Sequence, residues 1–282
     1  LKSYDLTGEK KFKEAAEKSL SYLMSEDARP MRATFWHRKN PNKDFSNGLM
    51  GQAWTLEALT YAYRFFGDDS IFRLASEVFR LHPYKPKHKA WETVNVDGSI
   101  RGFDPTFNHQ LWFAAAGSLL ANLGDEEIQS QTKDFLDALP NTMKVYPDGV
   151  IMHHPKGYLL TSKKEKLKAV IKEFRTPKDQ KKHVYLKSVG YHGFNLYALG
   201  IIHNIFPNLS FFNTDLFKSM IDVIDTASFK SQLLESPYSF DYNPPGFELA
   251  FALQKFGDPI NAKYFLNQDF KKSFDQKKNQ WG

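Results

Sequence analysis

The sequence contains no cysteine, and that absence removes disulfides, thiolate metal sites, iron–sulfur ligation and cysteine nucleophiles together. It has no apolar run long enough to span a bilayer: the longest, around Leu111 to Leu123, is interrupted by Gly117, Ser118 and Asn122. Also missing are a Gly-x-Gly-x-x-Gly fingerprint, a phosphate-binding loop, a Gly-x-Ser-x-Gly elbow and a His-Glu-x-x-His pair. Nucleotide cofactors, a hydrolase nucleophile elbow and a zinc-protease site therefore have no support, and neither metal nor cofactor is expected. The chain opens on Leu1 rather than Met, so trimming or processing that removed a leader is the expectation.

Aromatic residues, by contrast, are plentiful. Twenty-five Phe, 13 Tyr and 5 Trp make up 15% of the 282 residues, enough for a thick core, a sugar-stacking cleft, or both. Hydrophobic (41%) and charged (25%) shares are those of an ordinary globular chain. The length sits near the upper size of one core, so a single domain over residues 1–282 is expected. The net charge of +6 is concentrated between Lys156 and Lys187, where eleven Lys and Arg meet three acids. Such a patch either steers a polyanion toward a cleft or is a solvated insertion. No aromatic-interleaved basic motif accompanies it, so nucleic acid is not the expected partner.

Helical patterning dominates. Phe12 to Met24 carries an amphipathic stripe. Asn47 to Phe66 is apolar almost all round and stops at Gly67-Asp68-Asp69, and the more amphipathic Ser70 to His82 follows. The pairing recurs: Asn108 to Leu123 with Glu126 to Leu139, Lys187 to Ile205 with Thr214 to Ile224, and Gly246 to Phe256 with Pro259 to Leu266. A buried helix followed by a wet one, repeating at roughly 50 to 60 residues, predicts an all-α fold of hairpins around a common axis, an (α/α) toroid or partial toroid. The segment 146–186 reads as an insertion: a short β-hairpin or extended loop from Tyr146 to Leu160, then a basic helix over Lys163 to Arg175.

In that arrangement the segments entering the buried helices converge on one mouth, where unpaired helix N-terminal amides lie. Four such segments, around Asn47, Asn108, Tyr191 and Asn243, are rich in Asn, His, Tyr, Asp and Gly. Asn108, His109, Lys187, Tyr191 and His192 are the predicted catalytic residues. Asn47, Gln52, Trp54, Arg101, Asp104, Gln110, Trp112, His153, His154, Tyr242, Asn243 and Glu248 are the predicted substrate-binding residues. An amide or imidazole on an otherwise apolar helix is costly unless paired or facing a wet cleft. Core packing is the competing account of each Trp, and helix capping that of Asn108.

Phe107-Asn-His-Gln-Leu-Trp112 resembles the Asn-His-x-x-Trp helix start of alginate-lyase-type α/α-toroid enzymes. Tyr191-His-Gly-Phe194, downstream of Pro147-Asp-Gly-Val-Ile-Met-His153, is similar to the Asp-Gly-Ser then Tyr-His-x-Tyr order of heparinase-like polysaccharide lyases. The resemblance covers two short motifs and the hairpin period. It implies that Asn108 and His109 neutralise a uronate carboxylate and that Tyr191 and His192 move protons. Phe194 stands in place of the family's second Tyr, and Lys187 in place of an Arg, keeping the charge but not the bidentate fork. The implied activity is β-elimination on an acidic polysaccharide or oligosaccharide. A uronate C5-epimerase needs the same groups. A glycoside hydrolase on this scaffold needs carboxylates, for which Asp104, Asp148, Asp241 and Glu248 are available. A non-catalytic sugar-binding scaffold is the fourth possibility.

Overall fold

A computed structural model describes residues 1–154, 159, 162, 164, 176–240, 242–275 and 280–281. Apart from Lys164, the predicted basic helix over Lys163 to Arg175 lies outside the described residues, as does Asp241. Helix dominates, with a small antiparallel sheet. Among the described residues no helix is long and apolar enough to cross a membrane. Contacts gather into two compact units, residues 1–104 with 112–135, and residues 105–111 with 136–282.

The first unit holds α1 (Lys2–Thr7), α2 (Lys10–Leu23), α3 (Gly48–Phe66) and α4 (Asp69–Arg80). The α3–α4 turn is built by the residues that mark it in the sequence. Gly67 caps α3 at φ 70°, and the Asp68 carboxylate accepts from the Ser70 N–H at 2.8 Å to open α4. Helix α4 buries Ile71, Ala75, Val78 and Phe79. Phe79 stacks on Phe113 at 4.4 Å, and Trp91 lies edge-on to both. Gly117 lets this cluster close, since a Cβ there would sit 2.5 Å from Thr132 and 2.9 Å from Phe79. The helical reading passed over the three strands Tyr84–Lys85, Ala90–Val94 and Ile100–Phe103, antiparallel in sequence order. Their signals are the β-branched run around Trp91 and the Asp97-Gly98 turn, where Gly98 has φ 86°.

Helix α5 (Phe107–Ala121) gives its first turn to the second unit; α6 (Glu126–Asp137) and α7 (Leu139–Thr142) follow. Among the described residues that unit also holds α8 (Lys178–Gly190), α9 (His192–Ile205), α10 (Asp215–Asp222), α11 (Ala227–Glu235), α12 (Pro245–Phe256), α13 (Pro259–Ser273) and a strand pair, Phe274–Asp275 with Gln280–Trp281. The continuous helix expected over Lys187 to Ile205 is thus two helices meeting at Tyr191, whose φ −98°, ψ 3° lies in the bridge region. Gly190 explains the break: a Cβ there would meet the Tyr238 carbonyl at 2.7 Å, so this end of α8 presses on another backbone segment. Helices α9 and α12 approach just as closely, with a Cβ on Gly200 falling 2.2 Å from the Phe251 ring.

Of the segment from Tyr146 to Leu160, read as a short β-hairpin or extended loop, residues 155–158 and 160 lie outside the described ones; among the described residues a tight turn closes an antiparallel bridge between Val145 and Ile151. Gly149 sits there at φ 98°, and a Cβ would lie 2.2 Å from the Ser219 carbonyl oxygen. Gly149→Ala therefore meets both left-handed strain and a backbone clash, and should cost about 2–4 kcal/mol. Gly67→Ala, at φ 70° with open space, should cost about 1 kcal/mol. Chemical denaturation of both variants checks the ordering; equal losses would refute the clash.

Candidate functional site

The break at Tyr191 presents that residue to a cluster within the second unit. Its ring centroid lies 4.4 Å from His153, 6.0 Å from Tyr242 and 6.3 Å from Tyr238, and the last two are 6.3 Å apart. Three tyrosine rings thus form a near-equilateral triangle. The Lys187 ammonium, one turn before Tyr191, lies 5.8 Å above the Tyr191 ring and 5.5 Å above Tyr238. Among the described residues Lys187 makes no ion pair. Burial pulls its pKa down, against an opposing effect of Tyr242. Tyr238 is fixed in turn by His183, whose Nε2 is 2.9 Å from its hydroxyl.

His153 joins Tyr191 to the start of α5. Its carbonyl accepts from the Phe107 N–H at 3.3 Å, its own N–H donates to Ser188 Oγ at 3.1 Å, and His154 stacks edge-on at 4.3 Å. Burial first, then unfavourable electrostatic interactions with His154, Lys187 and His109, hold its pKa down at about 2, so the ring is neutral. His109 is half-buried on the first turn of α5. Beside it Asn108 is 1% exposed, and among the described residues neither of its amide atoms has a hydrogen-bond partner. An unsatisfied buried amide is expensive, which marks Asn108 as more than a helix cap.

The protonation states follow from these surroundings. Burial, Tyr242, Tyr238 and Glu248 together push the Tyr191 phenol far above its ordinary pKa, so it rests as a donor. Glu248 follows Pro245 in the first turn of α12. Its pKa is raised well above the usual carboxylate range by burial and by Asp269.

His192 occupies a different place from its neighbour. It is fully buried; Ile151 N–H donates to its Nδ1 at 3.2 Å, and its Nε2–H donates to the Met220 carbonyl at 2.9 Å. With both nitrogens engaged, it ties the Tyr146 turn to α10 and has no ring position left for substrate. Gln110 is fully buried, His154 and Tyr242 are exposed, and Asn243 keeps a buried amide nitrogen without a partner.

The other predicted residues belong to the first unit. Gln52 is a core strut, its amide bonded to both backbone groups of Phe35 and to the Ser46 carbonyl. Arg101 pairs with Asp44 at 3.3 Å, half-buried Asn47 takes a left-handed turn at φ 54°, and Trp112 is buried. Trp54 is exposed and Asp104 half-buried. Sequence reasoning did not single out Tyr238 or Asp269. Tyr238 lay in a flagged segment; Asp269 is one acid in an amphipathic helix and gave no signal. Among the described residues no group of three or more His, Asp or Glu is placed to hold a metal ion.

No protein-family model and no solved structure matches the chain. Archaeal glycosylation protein Q of Haloferax volcanii is 39% identical over 287 aligned residues, which cover 98% of this chain and 77% of that protein. With that identity along nearly its whole length, the chain belongs to the family of archaeal glycosylation protein Q.

Proposed function

We propose that the protein is a carbohydrate-active enzyme that cleaves a uronate-bearing glycan by β-elimination, with its chemistry seated in the Tyr191 cluster. The observation that carries this reading is the Lys187 ammonium held against two tyrosine rings with no acidic partner among the described residues. A carboxylate supplied by a sugar completes it, while the tyrosine faces suit a pyranose ring. The relative's name, a glycosylation protein, supports a glycan as substrate. A partial (α/α) toroid is the scaffold this reading implies.

Elimination requires the uronate carboxylate to be neutralised so that the proton at C5 becomes acidic. In this reading Lys187 and the Asn108 amide bind the carboxylate, and His109 takes the C5 proton. The protonated Tyr191 phenol donates a hydrogen bond to the charge that develops on the carboxylate oxygen. His192, with both nitrogens engaged, serves as a support.

A second reading, hydrolysis, is favoured by one observation: Glu248 is a carboxyl kept protonated beside Tyr191, as a glycosidase acid must be. Incubation with a panel of uronate glycans separates the two. Elimination predicts rising ultraviolet absorbance from 4,5-unsaturated uronate, abolished in Lys187→Met. New reducing ends without that absorbance establish hydrolysis, and solvent deuterium at C5 with no cleavage establishes epimerisation. Silence on all three removes the enzymatic reading.

A further inference from the structure

The elimination scheme leaves unused two carboxyls, Glu248 on α12 and Asp269 on α13, the first of which acts electrostatically on Tyr191. Glu248, on the first turn of α12, lies against α9: a Cβ on Gly193 would fall 3.1 Å from the Glu248 Cβ and 3.2 Å from its Oε2. That Oε2 is sealed from solvent and has no hydrogen-bond partner, although the residue as a whole is part-exposed. On the other side α13 brings in Asp269, which is fully buried. Its Oδ2 accepts from the Phe247 N–H at 2.9 Å and from the Gly246 N–H, while its Oδ1 has no partner. The fit is made by glycine, since a Cβ on Gly246 would lie 2.5 Å from that Oδ2.

These contacts give the two acids different duties. Asp269 spends one oxygen on the N-terminal amides of α12, which favour its charged form. Among the described residues Glu248 Oε2 has no hydrogen-bond donor. The titratable groups acting on it are Asp269 from α13 and Tyr191 from the α8–α9 junction; the charged residues of α10, Asp215, Lys218 and Asp222, are solvent-exposed. Two carboxyls at close quarters do not both ionise readily, and the one without donors keeps the proton.

We propose that Glu248 is the catalytic acid that protonates the leaving glycosidic oxygen, and that Asp269 is the positioning residue that holds Glu248 in its protonated form. The inference rests on the Tyr191 cluster being the seat of bond cleavage. As His109 takes the C5 proton, the C5–H electron pair forms the C4–C5 double bond. The C4–O bond then breaks with its electron pair on oxygen, and the Glu248 proton goes to that oxygen. One proton is left on His109 and one is missing from Glu248, and exchange with solvent after product release, which the part-exposed Glu248 side chain permits, restores the resting enzyme. Buried acids raised in this way are what a proton donor at neutral pH requires.

The proton itself is the quantity to observe. In a Glu57→Gln background, which removes the other carboxyl that titrates near neutrality, infrared spectra of the whole protein at pH 7 should contain the C=O stretch of a protonated carboxylic acid, lost on adding Glu248→Gln, and Asp269→Asn should shift its titration to lower pH. A band unchanged in Glu248→Gln, or a midpoint unmoved in Asp269→Asn, overturns the assignment whether or not any glycan is cleaved. If Asp269→Asn does not fold, activity decides on Glu248→Gln alone. Its turnover should fall about 10²–10⁴-fold on a sugar leaving group and much less on a fluoride or nitrophenolate leaving group, which departs without a proton. Equal losses on both overturn the proposal. A wild-type protein that shows the band but cleaves nothing would remove the elimination reading and, with it, the role of Glu248 as catalytic acid, leaving only the hold of Asp269 on the Glu248 proton.

Discussion

Tyr191→Phe should lower turnover by about 10²–10³-fold while moving the thermal midpoint by no more than a degree or two, the size expected for losing one donor to a developing oxyanion. The change deletes a single hydroxyl. The ring contacts that hold the side chain, to His153 at 4.4 Å and to Phe194 and Tyr242 at 6.0 Å each, remain. Because burial and its neighbours keep the phenol protonated, the loss belongs to kcat more than to KM. His192→Ala should do the opposite. It strips two hydrogen bonds from a fully buried ring, leaves the Ile151 N–H and the Met220 carbonyl unpaired, and should cost about 3 kcal/mol or more. Steady-state kinetics and melting curves on both variants separate a functional tyrosine from a structural histidine. A Tyr191→Phe protein with normal turnover would remove Tyr191 from the chemistry.

That adjacent residues divide in this way shows where sequence reading stopped. Hydrophobic period and glycine punctuation located the helices: the stop at Gly67-Asp68 is a capping pair, and Gly257-Asp258 opens α13 with the Asp258 carboxylate accepting from Ile260. Polar residues in the segments entering apolar helices singled out Lys187, Tyr191, Tyr242 and His153, which the structure brings together, because a polar group on such a helix is costly without a purpose. The same rule flagged His192 and Gln52 as well, and it cannot tell a side chain facing a cleft from one satisfied by a distant backbone. His192 finds its partners 41 residues upstream and 28 downstream, and no local pattern encodes that. Nor does periodicity reveal the helix break at Tyr191, which follows from Gly190 pressing on Tyr238. Asp269 was illegible for the same reason, since its meaning depends on which helix end it meets.

Glu57→Gln should stabilise the protein at pH 8 by up to about 3 kcal/mol, with the gain vanishing near pH 4. Burial alone raises this α3 carboxyl to about 7, and no charge partner offsets it. A folded-state pKa above the unfolded value means that the native protein binds the proton more tightly. Above pH 7 the ionised, desolvated group therefore opposes folding, and that opposition disappears as pH falls through 7 toward 4.5. Glutamine has the same shape and no charge, so it removes the penalty where it exists and changes little where Glu57 is already protonated. Two buried histidines run the other way. His82 and His192 are held down at about 4, so the unfolded chain binds their protons first, and each loses about 1.4 kcal/mol per pH unit below 6.5. In the wild type, Glu57 and Asp269, raised to about 7 and about 6, offset part of what these histidines and His153 lose as the pH falls from 6 to 5. With Glu57 neutral that offset is smaller, and between pH 6 and 5 Glu57→Gln should lose about 1.4 kcal/mol per unit more than the wild type. Denaturant titrations at pH 8, 6, 5 and 4 measure this as a difference between two proteins, which cancels every titrating group they share. A gain that stays constant with pH would mean that the glutamine acts through packing and that the Glu57 carboxyl ionises normally.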